Sequence, residues 1–183
     1  AAAQPSERLC RGGVNIVINP SASNEIIGKA VYRRTLVLST SARLLCGYIY
    51  VSSGSGESTQ DLVYSGHCII AENGTSLAEN KPFEEKELTV TEIDVKKLAY
   101  ERHKNTSFEP VTDVTFVKFN QEIRKTEITR PIDKAPFVPS DKAALSSRAE
   151  AILRIQSYGL KKRLEHTRAK TAVIGVSGGL DST

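Results

Sequence analysis

Short apolar runs alternate with polar turns over most of the chain and give way near its end to one long helical period. Residues 14–19 form a mostly apolar run that predicts a buried strand, which the Pro20 to Asn24 cluster ends as a loop at the strand's C-terminal end. Over residues 30–46, Val31, Leu38, Ala42 and Leu45, with small Thr35, recur at three-and-four spacing and predict a helix. Residues 48–52 predict a strand, and Gly54 and Gly56 a flexible turn before Glu57. Residues 68–71 and 88–94 read as further strands, separated by a turn at Asn73 and Gly74 and by the acidic stretch Glu84 to Glu87.

Residues 96–104 predict a short helix, residues 106–113 an irregular stretch interrupted by Pro110, and residues 114–119 an alternating strand. Pro131, Pro136 and Pro139 mark the change from strands to a long helix, so a domain boundary is expected near Asp133. Ser140 or Asp141 is the expected cap of that helix. Its period runs through Leu145, Ala149, Ile152, Gln156, Leu160 and Leu164, and the basic residues Arg148, Arg154, Lys161, Lys162, Arg163 and Arg168 fall mostly off the stripe as a solvated face. Residues 171–176 then predict a buried strand feeding directly into Ser177 to Ser182.

Composition narrows the class. The chain has 183 residues and is 39% hydrophobic, enough for a core, and its apolar runs are far too short for a bilayer span. Cys10, Cys46 and Cys68 are odd in number, widely spaced and set among apolar neighbours, which fits reduced thiols in a cytoplasmic protein better than a disulfide framework or a zinc site. The net charge of +4 invites a nucleic-acid reading, but no basic–aromatic interleaving supports one. The sequence contains no methionine and breaks off inside a recognisable loop, so an internal fragment is expected.

That loop carries the sharpest chemistry. A strand followed by Ser177, Gly178, Gly179, Leu180, Asp181 and Ser182 is how main-chain N–H groups are aimed at phosphate. The glycines lack the Cβ that would hold an anion off the main chain, the serine hydroxyls donate to its oxygens, and Asp181 can hold Mg2+ or brace the loop. A Walker A loop is excluded because its lysine is missing. The stretch resembles the PP-loop of ATP pyrophosphatases, which several families share.

The upstream motifs choose among those families. V-N-I-V-I-N-P-S-A-S at residues 14–23, Tyr32 to Arg34, G-Y-I-Y at 47–50, G-E-S-T-Q-D-L-V-Y-S-G at 56–66 and I-A-E-N-G at 70–74 resemble the nitrilase-type glutaminase domain of bacterial glutamine-dependent NAD+ synthetases. P-F-V-P at 136–139, I-Q-S-Y-G-L-K-K-R-L at 155–164 and V-I-G-V-S-G-G-L-D-S-T at 173–183 resemble that family's linker helix and synthetase start.

The resemblance implies an α/β fold: residues 1–134 as the rear part of a four-layer α-β-β-α sandwich, and residues 135–183 as a linker helix and the first strand of a Rossmann-like PP-loop domain. It implies a parent ligase that hydrolyses glutamine at a Glu-Lys-Cys triad upstream of this chain, uses ATP and Mg2+ to adenylate nicotinic acid adenine dinucleotide, and aminates it to NAD+. A homo-oligomeric parent, with neither nucleic acid nor membrane as partner, is expected. The fragment by itself is expected to be inactive.

Ser177, Gly178, Gly179, Leu180, Asp181 and Ser182 are the implied ATP-binding residues, and Ser23 and Lys29 the implied glutamine-binding ones, with Lys29 standing where relatives often have arginine. Cys10 precedes the first predicted strand and lacks flanking acids, so it is read as a small packed residue. His67, His103 and His166 have no partner at ligand spacing and are read as structural or solvated, and Glu57 as a loop residue near a subunit or domain contact. Another PP-loop amidotransferase and a non-catalytic nitrilase-like interaction module are the alternatives.

Overall fold

The computed structural model describes residues 4–84, 88–135, 138 and 141–180. It is a mixed α/β structure whose contacts divide it into two units, Ala1–Arg130 and Pro131–Thr183.

The first unit opens with helix α1, Pro5–Arg11, whose proline occupies a first-turn position where a missing N–H costs nothing. Strand β1, Ile16–Ser21, is followed by helix α2, Lys29–Leu44, and strand β2, Gly47–Ser52. β1 and β2 pair in parallel, Ile16 opposite Gly47 through Ser21 opposite Ser52, so α2 is the crossover of a β-α-β unit. β1 runs two residues further than its hydrophobic pattern predicts because it lies at the edge of the described sheet, where Pro20 needs no donor on its open side.

Strands β3, Ile69–Glu72, and β4, Thr75–Glu79, complete a four-stranded sheet in the order β1-β2-β3-β4. Asn73 (φ 45°) and Gly74 (φ 82°) make the tight turn between them, the positive-φ pair that fits the twist of a two-residue hairpin. β4 has no strand signal in the sequence because its Thr-Ser-Leu-Ala-Glu pattern is that of a polar edge.

The core lies between this sheet and its helices. Cys10, Val17, Leu44 and Cys46 form one buried cluster, and Val37, Tyr50, Ile69 and Ala71 another. The buried stripe of α2 is Arg33, Val37, Ser41 and Leu44, not the predicted one: Val31 and Ala42 are exposed. Two polar members shift it, and Ser41 is satisfied in place, donating to Cys46 O at 2.7 Å and accepting from Gly74 N at 3.2 Å.

Helix α3, Val95–Lys104, is capped by Asp94, whose carboxylate accepts from Lys97 N at 2.9 Å. Its Arg102 donates to Cys10 O (3.1 Å), Val14 O (2.8 Å) and Leu45 O (2.9 Å), satisfying carbonyls at the C-terminal ends of α1 and α2. Two predicted strands do not form. Residues 88–94 and 114–119 have no ladder partner among the described residues, and Phe116, Val117 and Phe119 are largely exposed; an alternating pattern makes a strand only where another strand accepts its hydrogen bonds.

The second unit contains helix α4, Lys142–Thr167, capped by Asp141 through Ala144 N at 2.7 Å; Ser140 lies outside the described residues. Its predicted stripe is not buried, since no residue of α4 is. Residues 171–176, predicted as a buried strand, pair with no other strand among the described residues, and Val173 and Ile174 are exposed. No described helix is long and apolar enough to cross a membrane.

Candidate functional site

A half-open cavity of about 460 Å³ lies against β1, β2 and α2. Its apolar lining includes Val17, Val37 and Tyr50, and its polar lining includes Asn19, Ser23, Lys29 and Arg33. A parallel β-α-β unit places the loop after its first strand at the strand's C-terminal end, and here residues 22–28 carry the chain from Ser21 to the start of α2.

Ser23 and Lys29, expected from the sequence, both line this cavity. Gly28 caps α2 with φ 82°, a left-handed turn that glycine accepts without strain, and brings Lys29 in as the first helical residue. The Lys29 ammonium donates to Asn24 Oδ1 at 2.9 Å. A neutral amide leaves the cation's charge uncancelled, which suits a carboxylate-bearing ligand. Also lining the cavity, Asn19 Nδ2 donates to the Tyr48 hydroxyl at 3.0 Å, and burial raises the Tyr48 pKa, keeping the phenol neutral.

From Arg33 in this lining a buried polar chain runs into the protein. Arg33, 5% exposed, donates from Nη1 to Glu25 Oε2 at 2.9 Å and to His67 Nδ1 at 3.0 Å. Ser65 Oγ donates to the same Glu25 oxygen at 2.5 Å, and His67 Nε2 bonds Glu79 Oε1 at 3.0 Å. Arg34 Nε donates to Glu79 Oε2 at 2.9 Å. Burial opposes ionisation of Glu25, but the hydrogen bonds from Ser65 and Arg33 outweigh it and hold the carboxyl below its ordinary pKa. Glu79 is lowered in the same way, against burial, by His67 and Arg34.

Sequence reasoning gave Glu25 no role and read His67 as structural or solvated; His67 is 2% exposed and bonded at both ring nitrogens. The available signal was the helical spacing of Arg33 with Val37, Ser41 and Leu44, legible only if a charged residue is allowed on a buried face. Cys10 and Cys46 are buried together and hydrogen-bond to each other, an arrangement that lowers the pKa of Cys10 and raises that of Cys46. Glu57 closes the 3-10 turn Ser55–Glu57 and is itself exposed. His103 is not among the residues lining this cavity, and His166 belongs to the second unit.

In the second unit, Gly178 has φ 80°, a conformation open to glycine and strained for other residues, while Leu180 is fully exposed. The donors of Ser177 to Leu180, a hydroxyl and main-chain N–H groups with no carboxylate, fit an anionic phosphate group. Asp181 and Ser182 lie outside the described residues. Among the described residues no cluster of His, Cys, Asp and Glu is arranged to hold a metal ion.

No family model matches the chain. The glutamine-dependent NAD(+) synthetase of Mycobacterium leprae (strain TN) is 36% identical over 191 aligned residues, which cover 98% of this chain and 28% of that protein. The enzymes of the same name from Mycobacterium bovis and Mycobacterium tuberculosis are 35% identical over the same shares. A solved glutamine-dependent NAD(+) synthetase from Cytophaga hutchinsonii aligns at 30% identity with a TM-score of 0.41, over 44% of this chain and 14% of that one. The chain spans about 28% of the length of the curated relatives it matches, and along 98% of its own length it is similar to a segment of these glutamine-dependent NAD(+) synthetases.

Proposed function

We propose that this chain is a working part of an ATP-dependent ligase that makes NAD+ from nicotinic acid adenine dinucleotide with ammonia drawn from glutamine. Residues 1–134 are then the rear part of a nitrilase-like glutaminase, and residues 135–183 the linker helix and opening of a PP-loop synthetase domain. The observation that supports this reading is that Ser23 and Lys29 line one cavity, which Asn19 and the neutral Tyr48 phenol also line.

In this reading the Lys29 ammonium pairs with the substrate carboxylate and the Ser23 hydroxyl bonds its polar groups, which orients glutamine for a nucleophile supplied from outside residues 1–183. None of Cys10, Cys46 and Cys68 takes that role: the first two are packed in the core, and Cys68 donates to Gly66 O at 3.4 Å beside β3. Ser177 to Ser182 bind the ATP phosphates, with Asp181 the residue that would hold Mg2+; the ion supplies charge neutralisation of the phosphates when bound. The setting is cytoplasmic, in keeping with three free cysteines.

Label transfer tests the reading in the longer protein that carries this segment. With amide-15N glutamine, ATP and nicotinic acid adenine dinucleotide, the NAD+ formed should carry 15N in its carboxamide, and Asp181→Ala should suppress synthesis from glutamine and from ammonium alike. Unlabelled NAD+, or full ammonium-dependent synthesis by Asp181→Ala, would contradict it.

A further inference from the structure

The loop that bears the candidate glutamine-binding residue Ser23 and leads into Lys29 is fastened at Glu25 by a buried ion pair. Glu25 sits in the middle of residues 22–28, two positions after Ser23 and four before Lys29. Its main-chain N–H donates to Val63 O at 2.7 Å, and its carboxylate is held by Ser65 at 2.5 Å and Arg33 at 2.9 Å. The pair is deeply buried, with side-chain exposures of 5% for Arg33 and 9% for Glu25. One residue therefore ties the pocket loop to two other segments, helix α2 and the long loop 53–67.

The far side of Arg33 is equally constrained. A guanidinium has only donors, so His67 Nδ1 accepts from Arg33 and the ring's single proton sits on Nε2, donating to Glu79. The Arg33 guanidinium lies over the Tyr50 ring at 5.7 Å and forms part of the cavity wall, and its Nε and Nη2 are buried with no hydrogen-bond partner among the described residues. The charges that meet there are Arg33 with Glu25, and Glu79 with Arg34. Arg33 is thus cancelled by its own carboxylate and is a poor receptor for a second anion, whereas the Lys29 ammonium, among the described residues, is bonded to an amide alone.

We propose that Arg33 and Glu25 are positioning residues for the pocket: they fix the loop so that Ser23 and Lys29 face one ligand carboxylate together. Fixing a loop in its bound shape lowers the entropy lost on binding, and a small misplacement of a binding group is felt strongly in turnover. The proposal rests on the glutamine-pocket reading of the preceding section and adds to it two residues that touch no substrate.

The test uses Glu25→Gln and Arg33→Lys in the longer protein, with Lys29→Ala beside them, each assayed with glutamine and with ammonium as nitrogen donor. Glu25→Gln keeps the shape and an oxygen for Ser65 but removes the charge; Arg33→Lys keeps the charge and loses the fork. Both should raise the KM for glutamine about 5- to 100-fold while leaving kcat and KM with ammonium within about twofold. An unchanged glutamine KM in both variants overturns the proposal, as does an equal loss with both donors, which is what a merely structural role or failed folding produces. If Lys29→Ala also leaves the glutamine KM unchanged, the pocket reading itself fails; if Lys29→Ala raises it and the other two do not, only the fastening is wrong.

Discussion

Arg33 and His67 share a buried hydrogen bond of 3.0 Å whose direction is fixed, because the arginine can only donate and the imidazole Nδ1 must accept. It links the first turns of α2 to the residues entering β3, and through Glu25 and Glu79 it reaches the pocket loop on one side and β4 on the other. Such a chain is costly to break at one member, since the remaining charge stays buried without its counterion.

Truncation of Arg33 should therefore destabilise the first unit far more than truncation of an exposed arginine. Arg33→Ala is expected to lose about 3–5 kcal/mol, the range for breaking a buried pair. Arg124→Ala, at an ion pair whose partners are 80% and 73% exposed, should change stability by less than about 1 kcal/mol. Urea denaturation of the two variants beside the parent chain checks this; equal losses would mean that Arg33 is solvated.

Acid should act through the same carboxylates. Glu25 and Glu79 have folded-state pKa values below the ordinary 4.5, so the stability they contribute is fully present above that value and is lost as pH falls through their lower folded-state values. The denaturation midpoint should drop as pH is lowered below about 4.5, and Glu25→Gln should flatten that drop, since the amide does not titrate. An identical acid slope with and without Glu25 would contradict the assignment.

The turn at Asn73 and Gly74 offers a test of the hairpin. A Cβ on Gly74 would lie 2.8 Å from Ala42 Cβ, and the backbone already has φ 82°. Gly74→Ala should cost about 1–3 kcal/mol, combining the left-handed penalty with the contact. A neutral substitution would show that the turn between β3 and β4 does not lie against Ala42 of α2.

Thiol chemistry separates the cysteines by environment. Cys10 and Cys46 are 1% and 0% exposed, while Cys68 is partly open. Brief treatment with iodoacetamide should label Cys68 first and reach Cys10 and Cys46 only after unfolding. Mass spectrometry of the alkylated peptides reads the order, and early labelling of Cys10 would contradict its placement in the core.

The elements of the β1-α2-β2 unit were legible in the sequence because short apolar runs and a long helix each leave a strong period, although β1, expected to be buried, is buried only at Val17 and exposes Ile18. The inner face of α2 was not, because Arg33 and Ser41 occupy it and a hydrophobic stripe cannot see a polar residue whose partner lies far along the chain. β4 escaped for the opposite reason: its edge pattern is as polar as a loop. Residues 88–94, 114–119 and 171–176 have strand-like patterns without a paired neighbour among the described residues, and a pattern supplies no hydrogen-bond partner. At the pocket, Ser23 and Lys29 came from family resemblance, while Glu25, Arg33 and His67 needed the three-dimensional contacts.

The most direct test of the account is the response of the longer protein to Lys29→Ala with the two nitrogen donors. Losing a charged hydrogen bond to the substrate carboxylate is worth about 1.5–3 kcal/mol, so kcat/KM for glutamine should fall roughly 10- to 150-fold. Lys29→Arg should retain or improve it, because a guanidinium grips both carboxylate oxygens. Ammonium-dependent NAD+ synthesis should be unchanged in both variants. Equal losses with glutamine and ammonium, or no loss with either, would show that the cavity beside Ser23 and Lys29 is not where glutamine is held.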